Sequence, residues 1–322
     1  MKKKLFNLLR IFISLALLSL LIYRNRGNFS AILDTLKNID IQLLAVAVIL
    51  YSTGISFIVL RWGILLAAHG YQIFKPFLWQ SAFIGWFYNM LLPTSIGGDF
   101  YRVYDLYNNK KVPMNENISA IVMERIIGTI SGITLLVISY FLGMFKYLDR
   151  NAVIGLFSAL GVILVFFTVL FFPRFFRINI ILRKFRIFSK IGPKLKEFHD
   201  MLISYRHKIK YLVTSLFFSL SLQVLFITSF FFLNLSLGLE MKYRMVLFAQ
   251  PFSSLASAVP IAIGGMGIRE NALVYAIENF GIDRADATLF SFIVLSIILF
   301  NALVGGLIYL FKNVFYRSKG LI

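Results

Sequence analysis

The chain alternates long apolar blocks with short polar ones. Six blocks, at about 5–23, 41–60, 118–140, 152–172, 211–236 and 286–311, are predominantly apolar. Each has roughly the 20 residues that cross the hydrocarbon core of a bilayer as a helix. Two further apolar stretches, 77–92 and 245–259, are shorter and run into a proline and a double glycine instead of a charged loop. Irregular backbone at membrane depth is tolerated where protein encloses it or where it lines a polar cavity. These two stretches therefore predict broken or re-entrant helices.

The two interruptions resemble each other. Leu92-Pro93-Thr94-Ser95-Ile96-Gly97-Gly98-Asp99-Phe100-Tyr101-Arg102 aligns with Val259-Pro260-Ile261-Ala262-Ile263-Gly264-Gly265-Met266-Gly267-Ile268-Arg269. Both read P-x-x-I-G-G-x-x-x-R, and a leucine follows four residues on, at Leu106 and Leu273. The same offset of 167 residues carries the block at 41–60 into the one at 211–236, and the block at 118–140 onto the last. Each repeat is then a span, a broken segment and a second span. The predicted fold is an all-α polytopic membrane protein with two inverted-topology repeats, plus an N-terminal and a connector transmembrane helix. The whole of 1–322 reads as a single membrane domain. Within it, 1–40 is the N-terminal helix and loop, 41–140 repeat 1, 141–210 the connector helix with a basic cytoplasmic segment, and 211–322 repeat 2.

Composition agrees with this reading. Of the 322 residues, 59% are hydrophobic and 15% charged, against about a quarter charged in soluble domains; the mean hydropathy is +0.81. There is no cysteine, which removes disulfides and thiolate metal sites. The apolar run after Met1-Lys2-Lys3-Lys4 is followed by Arg24-Asn25-Arg26 and no small-residue cleavage site, so an uncleaved first helix is expected.

The net charge is +19. In a membrane protein the placement of Lys and Arg reports orientation before it reports a partner. With the N-terminus cytoplasmic and each broken segment entering and leaving on one side, regions 1–10, 61–78, 99–117, 173–210 and 312–322 hold 23 Lys and Arg. The opposite regions, 24–40, 141–151, 239–244 and 269–284, hold 9, and Arg125 falls inside a span. This bias predicts a cytoplasmic-membrane protein with both termini cytoplasmic. Arg174 to Lys210 carries 11 of those charges among phenylalanines and isoleucines. It reads as a solvated linker with interfacial character, or as a surface for anionic lipid or a partner. A basic stretch between two spans does not suit nucleic acid.

The candidate chemistry gathers at the interruptions. Pro93 and Pro260 lack an N–H and disfavour continued helix. Gly97-Gly98 and Gly264-Gly265 permit positive φ and close backbone approach. A helix restarting after them presents its positive end to the gap, which favours an anion. Arg102 and Arg269 follow, and a guanidinium fork matches a phosphate. One reading has this pair grasp a lipid phosphate, one arginine from each repeat; the other has both arginines snorkel to the interface and set topology.

Glu124 and Arg125 are adjacent within a span, so their side chains point about 100° apart and do not simply pair. Glu124 is expected to meet Arg102 or Arg269, and Arg125 to meet Asp99 or Glu270, either as a structural network or with one carboxylate exchanging a proton. Gln80, Tyr88 and Asn89, with Gln250, Ser253, Ser254 and Ser257, either line a polar path or join helices through hydrogen bonds. His69, His199 and His207 lack metal spacing and read as surface residues. No cofactor is implied, and no P-loop is present.

With Pro93 to Arg102, Glu124-Arg125 with Gly128, and Gly264-Gly265 with Gly267-Ile268-Arg269-Glu270, the chain resembles the transmembrane region of the lysylphosphatidylglycerol synthase/flippase family. In the aminoacylating members this region moves the modified lipid across the bilayer, while a C-terminal domain performs aminoacyl transfer. The resemblance implies a flippase-like protein without that synthase domain. The expected cargo is an anionic or modified phospholipid, or a polyprenyl-phosphate-linked lipid. A separate lipid-modifying synthase and a homodimer are the protein partners this reading admits. The alternatives are an integral membrane transferase acting on a lipid-linked sugar or phosphate, with Asp99, Asp105 and Glu124 as its candidate carboxylates, and a non-catalytic partner of a lipid synthase.

Overall fold

A computed structural model describes residues 2–24, 26, 29–92, 97–147, 158, 161, 200–258 and 262–318. The connector block at 152–172, apart from two positions, and the basic residues 174–199 lie outside the described residues, as do His199, Pro93 and Pro260.

Among the described residues the chain is helices joined by short turns, with no strand. The helices are α1 (Lys2–Arg24), α2 (Phe29–Lys37), α3 (Ile41–Ala67), α4 (Lys75–Leu91), α5 (Gly97–Lys110) and α6 (Met114–Phe141). They continue as α7 (Ile209–Ser236), α8 (Tyr243–Ser257), α9 (Ile268–Asn279) and α10 (Arg284–Ser318). Four of them, α3, α6, α7 and α10, are long and apolar enough to cross a membrane. The interrupted segments appear as the pairs α4–α5 and α8–α9. The 167-residue offset maps α3, α4, α5 and α6 onto α7, α8, α9 and α10, with α9 starting late because a short 3-10 turn at Ile263–Gly265 precedes it.

Local chemistry sets several boundaries. The Asp40 carboxylate accepts the N–H groups of Gln42 and Leu43 at 2.9 and 3.1 Å and caps α3. Pro76 occupies the first turn of α4, where its missing N–H costs nothing. α9 begins at Gly267 with φ 86°, and the Glu270 carboxylate reaches back to the Gly267 N–H at 2.6 Å.

α3 and α7 pack along their lengths in opposite directions. The Asp40 N–H donates to the Ser236 carbonyl at 2.9 Å, the Ser229 hydroxyl to the Ala47 carbonyl at 2.7 Å, and Arg61 to the Ser219 hydroxyl at 2.8 Å. The Tyr51 and Phe226 rings stack at 4.4 Å between them. Around this pair the halves exchange partners: α4 lies against α10, and α8 against α6.

Small residues let these helices meet closely, as in membrane bundles generally. A Cβ added at Gly305 of α10 would lie 2.0 Å from the Phe83 carbonyl oxygen of α4. One added at Gly98 of α5 would lie 2.0 Å from the Gly85 carbonyl oxygen, also of α4. The Gly305→Ala variant is expected to force α10 off α4 and to destabilise the protein by about 1–3 kcal/mol, as overpacking does. Thermal unfolding in detergent checks this, with Leu303→Ala, at a 64% exposed position of the same helix, expected to stay within about 0.5 kcal/mol of wild type.

Candidate functional site

The buried charges concentrate where α3, α5, α6 and α7 meet. Glu124 of α6 is 5% exposed and lies between two arginines that are 6% exposed, Arg61 of α3 and Arg102 of α5. Arg102 Nη2 donates to Glu124 Oε2 at 2.6 Å, and Arg61 Nη2 donates to Oε1 at 3.3 Å. Arg102 Nη1 also reaches Asp99 Oδ1 at 3.5 Å, while Arg125 donates to Asp99 Oδ2 through Nε at 2.8 Å and through Nη2. Three guanidinium groups thus share two carboxylates.

Packing holds Arg102 in place. Its guanidinium lies over the Trp62 ring, 4.0 Å from the centroid. Trp62 Nε1 donates to Asn117 Oδ1 at 3.0 Å, and Asn117 Nδ2 donates to the Arg102 carbonyl at 3.2 Å. Arg61 Nη1 continues the network to the Ser219 hydroxyl, which is 2.8 Å from the Ser131 hydroxyl. Gly128 leaves room for the Arg61 guanidinium, since a Cβ there would sit 3.2 Å from its Nη1. Arg125 is different: its side chain is 51% exposed while Asp99 is buried.

Of the two partners the sequence leaves open for each of Glu124 and Arg125, the structure takes one. Glu124 and Arg125 turn away from each other, Glu124 to Arg102 and Arg125 to Asp99. Arg269 does not join them. Its Nη2 and Nε donate to Glu270 Oε1 at 2.7 and 3.0 Å, while Glu270 Oε2 holds the Gly267 N–H. Among the described residues no hydrogen bond or ion pair links Arg102 with Arg269.

What does meet is the end of α4 and the glycine turn that precedes α9. Asn89, near the end of α4, accepts the Gly98 N–H at 2.7 Å through Oδ1. A Cβ added at Gly264 would lie 2.9 Å from Met90 Cε and 3.4 Å from the Asn89 carbonyl oxygen. The glycine pairs also differ in purpose. Gly264 and Gly265 have φ of 53° and 75°, in the left-handed region that glycine enters without strain. Gly98 is helical, and its missing side chain serves the close approach of α5 to Gly85. α1 backs the second interruption, because a Cβ at Gly267 would be 2.6 Å from Leu17 Cβ.

Other expected residues take local roles. The Ser253 and Ser257 hydroxyls donate back to carbonyls of their own helix, at 3.0 and 2.7 Å. Tyr88 stacks on Tyr101 at 5.1 Å and meets the edge of Tyr309 at 5.6 Å. Asp105 accepts from Lys312 at 2.8 Å and from Asn109 at 2.9 Å. His69 is half-buried and packs edge-on against Tyr205, with ring centroids 4.7 Å apart, so it is not the surface residue expected. Burial, and then the nearby Lys208 ammonium, lower its pKa below the ordinary value.

Two members of these networks, Arg61 and Lys312, were not expected. A span ending at residue 60 puts Arg61 in a loop. The signal against that is the apolar run Trp62 to Ala68, which carries α3 on through Ala67.

Removing one partner from a buried ion pair leaves an uncompensated charge and costs about 3–5 kcal/mol. Glu124→Ala strands two guanidinium groups and is expected to lose that much stability, whereas Arg61→Met leaves Glu124 paired with Arg102 and is expected to lose less. Unfolding in detergent ranks the two; an Arg61→Met loss equal to or larger than that of Glu124→Ala would contradict this hierarchy.

Comparison with known proteins follows the same lines. The family model of the lysylphosphatidylglycerol synthase TM region matches residues 7–305. A UPF0104 membrane protein of Methanocaldococcus jannaschii is 28% identical over 232 residues, which is 68% of this chain and 92% of that protein. A UPF0104 membrane protein of Pyrococcus horikoshii is 24% identical over 272 residues, 76% of this chain and 79% of the relative. No solved structure matches. With nearly its whole described bundle inside that match, the chain belongs to the lysylphosphatidylglycerol synthase transmembrane-region family.

Proposed function

We propose that this protein translocates an anionic or modified phospholipid, or a polyprenyl-phosphate-linked lipid, across the cytoplasmic membrane without changing it chemically. The observation that carries this reading is the approach of the end of α4, at Asn89 and Met90, to the glycine turn at Gly264, with a buried cluster of arginines in the same half as Asn89. Discontinuous helices meeting in a membrane bundle are the usual construction of transporter sites, and inverted repeats supply their alternating access. The antiparallel packing of α3 on α7, with exchanged partners α4–α10 and α8–α6, supports that inverted relation. The bias of Lys and Arg supports cytoplasmic termini.

In this mechanism the phosphate lands on Arg125, the half-exposed guanidinium beside the start of α5. Arg125 exchanges one carboxylate, Asp99, for another anion, and its fork offers two parallel donors. The N-terminal end of α5 at Gly97 and Gly98 adds a favourable field. Arg102, pinned on Trp62 and Glu124, keeps positive charge behind the site. Arg269, with Glu270, occupies the corresponding place in the second interruption. Acyl or prenyl tails stay in lipid while the head group passes. A proton, the membrane potential or a downhill lipid gradient drives the movement.

The test is reconstitution in liposomes carrying a fluorescent anionic phospholipid, with a leaflet-accessibility assay. Wild type is expected to speed exchange, the Arg102→Ala/Arg269→Ala double variant to lose it, and Arg125→Gln to slow it by about tenfold or more, the loss of a charge-assisted hydrogen bond. The recovered lipid is expected to be chemically unchanged. Altered lipid would overturn this reading in favour of the transferase, and wild-type exchange that survives in all variants would remove the arginine site.

A further inference from the structure

Away from the arginine cluster, α3 and α4 flank an open groove of about 380 Å³, lined by Ser56, Val59 and Leu60 of α3 and by Lys75, Pro76 and Trp79 of α4. Its polar groups consume one another: Trp79 Nε1 donates to the Ser56 hydroxyl at 3.0 Å. Trp79 is 39% exposed and packs against Phe83, with ring centroids 4.0 Å apart. What remains is a hydrocarbon wall with one exposed ammonium at its rim, that of Lys75.

The start of α4 contributes little else to an anion, because Phe77 and Leu78 return their N–H groups to the Phe74 carbonyl at 3.0 and 3.3 Å and Pro76 has none. The surroundings are basic at this level. Lys110 and Lys312 lie over the Phe77 ring, 4.9 and 5.4 Å from its centroid, and Lys312 is neutralised by Asp105.

We infer that this groove holds one acyl chain of an anionic phospholipid, with its phosphate on Lys75, as a resident lipid and not as cargo. The occupant must be apolar along its length and negative at one end, and an anionic phospholipid is both. An interfacial tryptophan beside a lysine is the pairing that suits the headgroup level of a bilayer. A lipid held here bridges the second half of α3 and the beginning of α4, the helix that leads into the first interruption. The site shares no residue with the arginine cluster.

The test uses the full chain in phosphatidylcholine vesicles, to which a small, equal fraction of brominated phosphatidylglycerol or brominated phosphatidylcholine is added. Bromine on the acyl chain quenches tryptophan on contact. The protein has three tryptophans, and loss of the quenched component in Trp79→Phe identifies the emitter. The expected preference for the phosphatidylglycerol probe is about fivefold, the ratio one near-surface lysine supplies. It should fall towards unity in Lys75→Gln, and in wild type at high salt, where exposed charges are screened. Leu60→Phe, which fills the groove, should reduce quenching by both probes. Equal quenching of wild type by the two lipids would mean an ordinary boundary lipid and overturn the inference, as would a preference that survives both Lys75→Gln and salt. A preference abolished by Arg125→Gln would mark cargo instead. None of these readings depends on transport, so they fail or hold separately from the translocator proposal.

Discussion

A carboxylate inside a membrane bundle has to be met by cations, because neither water nor lipid will compensate it. Glu124 is met by two, and much of the first half is arranged around that requirement. It draws Arg61 from α3 and Arg102 from α5 to α6, and through Arg61 it reaches Ser219 on α7. Four helices are thereby tied together at one depth. The Trp62 ring beneath Arg102 and the space left by Gly128 beside Arg61 show packing adapted to the charges. Their net stabilisation is modest, since desolvation offsets attraction, but the penalty for mispairing is large, and that selects one arrangement of the helices.

The second half solves its version of the problem differently. Glu270 serves its neighbour Arg269 and the Gly267 N–H together, so charge compensation closes within one turn of α9. The offset that equates Arg102 with Arg269 brings Ser291 onto Glu124 and Phe292 onto Arg125. The arginine after the double glycine recurs at that offset, and the Glu124-Arg125 pair does not. A half-exposed guanidinium beside an interruption therefore occurs at Arg125 without a counterpart in the other repeat.

Much of this was legible in the sequence, for physical reasons. Block length located the described long helices, with α3 and α10 running seven residues past the expected ends, because hydrophobic length at the membrane is a strong constraint. The 100° rule for adjacent helical residues separated Glu124 from Arg125 and left each with two candidate partners, of which the structure brings up Arg102 and Asp99 and not Arg269 or Glu270. Arg61 was missed because an arginine at the end of an apolar run reads as an interface residue until the run beyond it is weighed. The independence of Arg269 was also not legible. Residue spacing places a side chain along the chain, but which of several carboxylates it meets depends on how helices cross in space. Likewise, the doubled glycines announced a special backbone without telling which kind.

That last distinction has a mechanical consequence. At the first interruption the demand on Gly98 comes from outside it, from the Gly85 carbonyl and the Asn89 side chain pressing on the same spot. A larger residue there meets the Gly85 carbonyl oxygen, backbone that no trimmed side chain removes, so only a shift of α5 away from α4 relieves it. At the second, the demand on Gly264 and Gly265 includes their own left-handed torsions, which no change in a surrounding side chain removes. Relief at Gly98 therefore needs one helix to move against another, whereas no such movement frees Gly264 or Gly265 from their torsions, so two halves that carry one motif are held to it by different constraints.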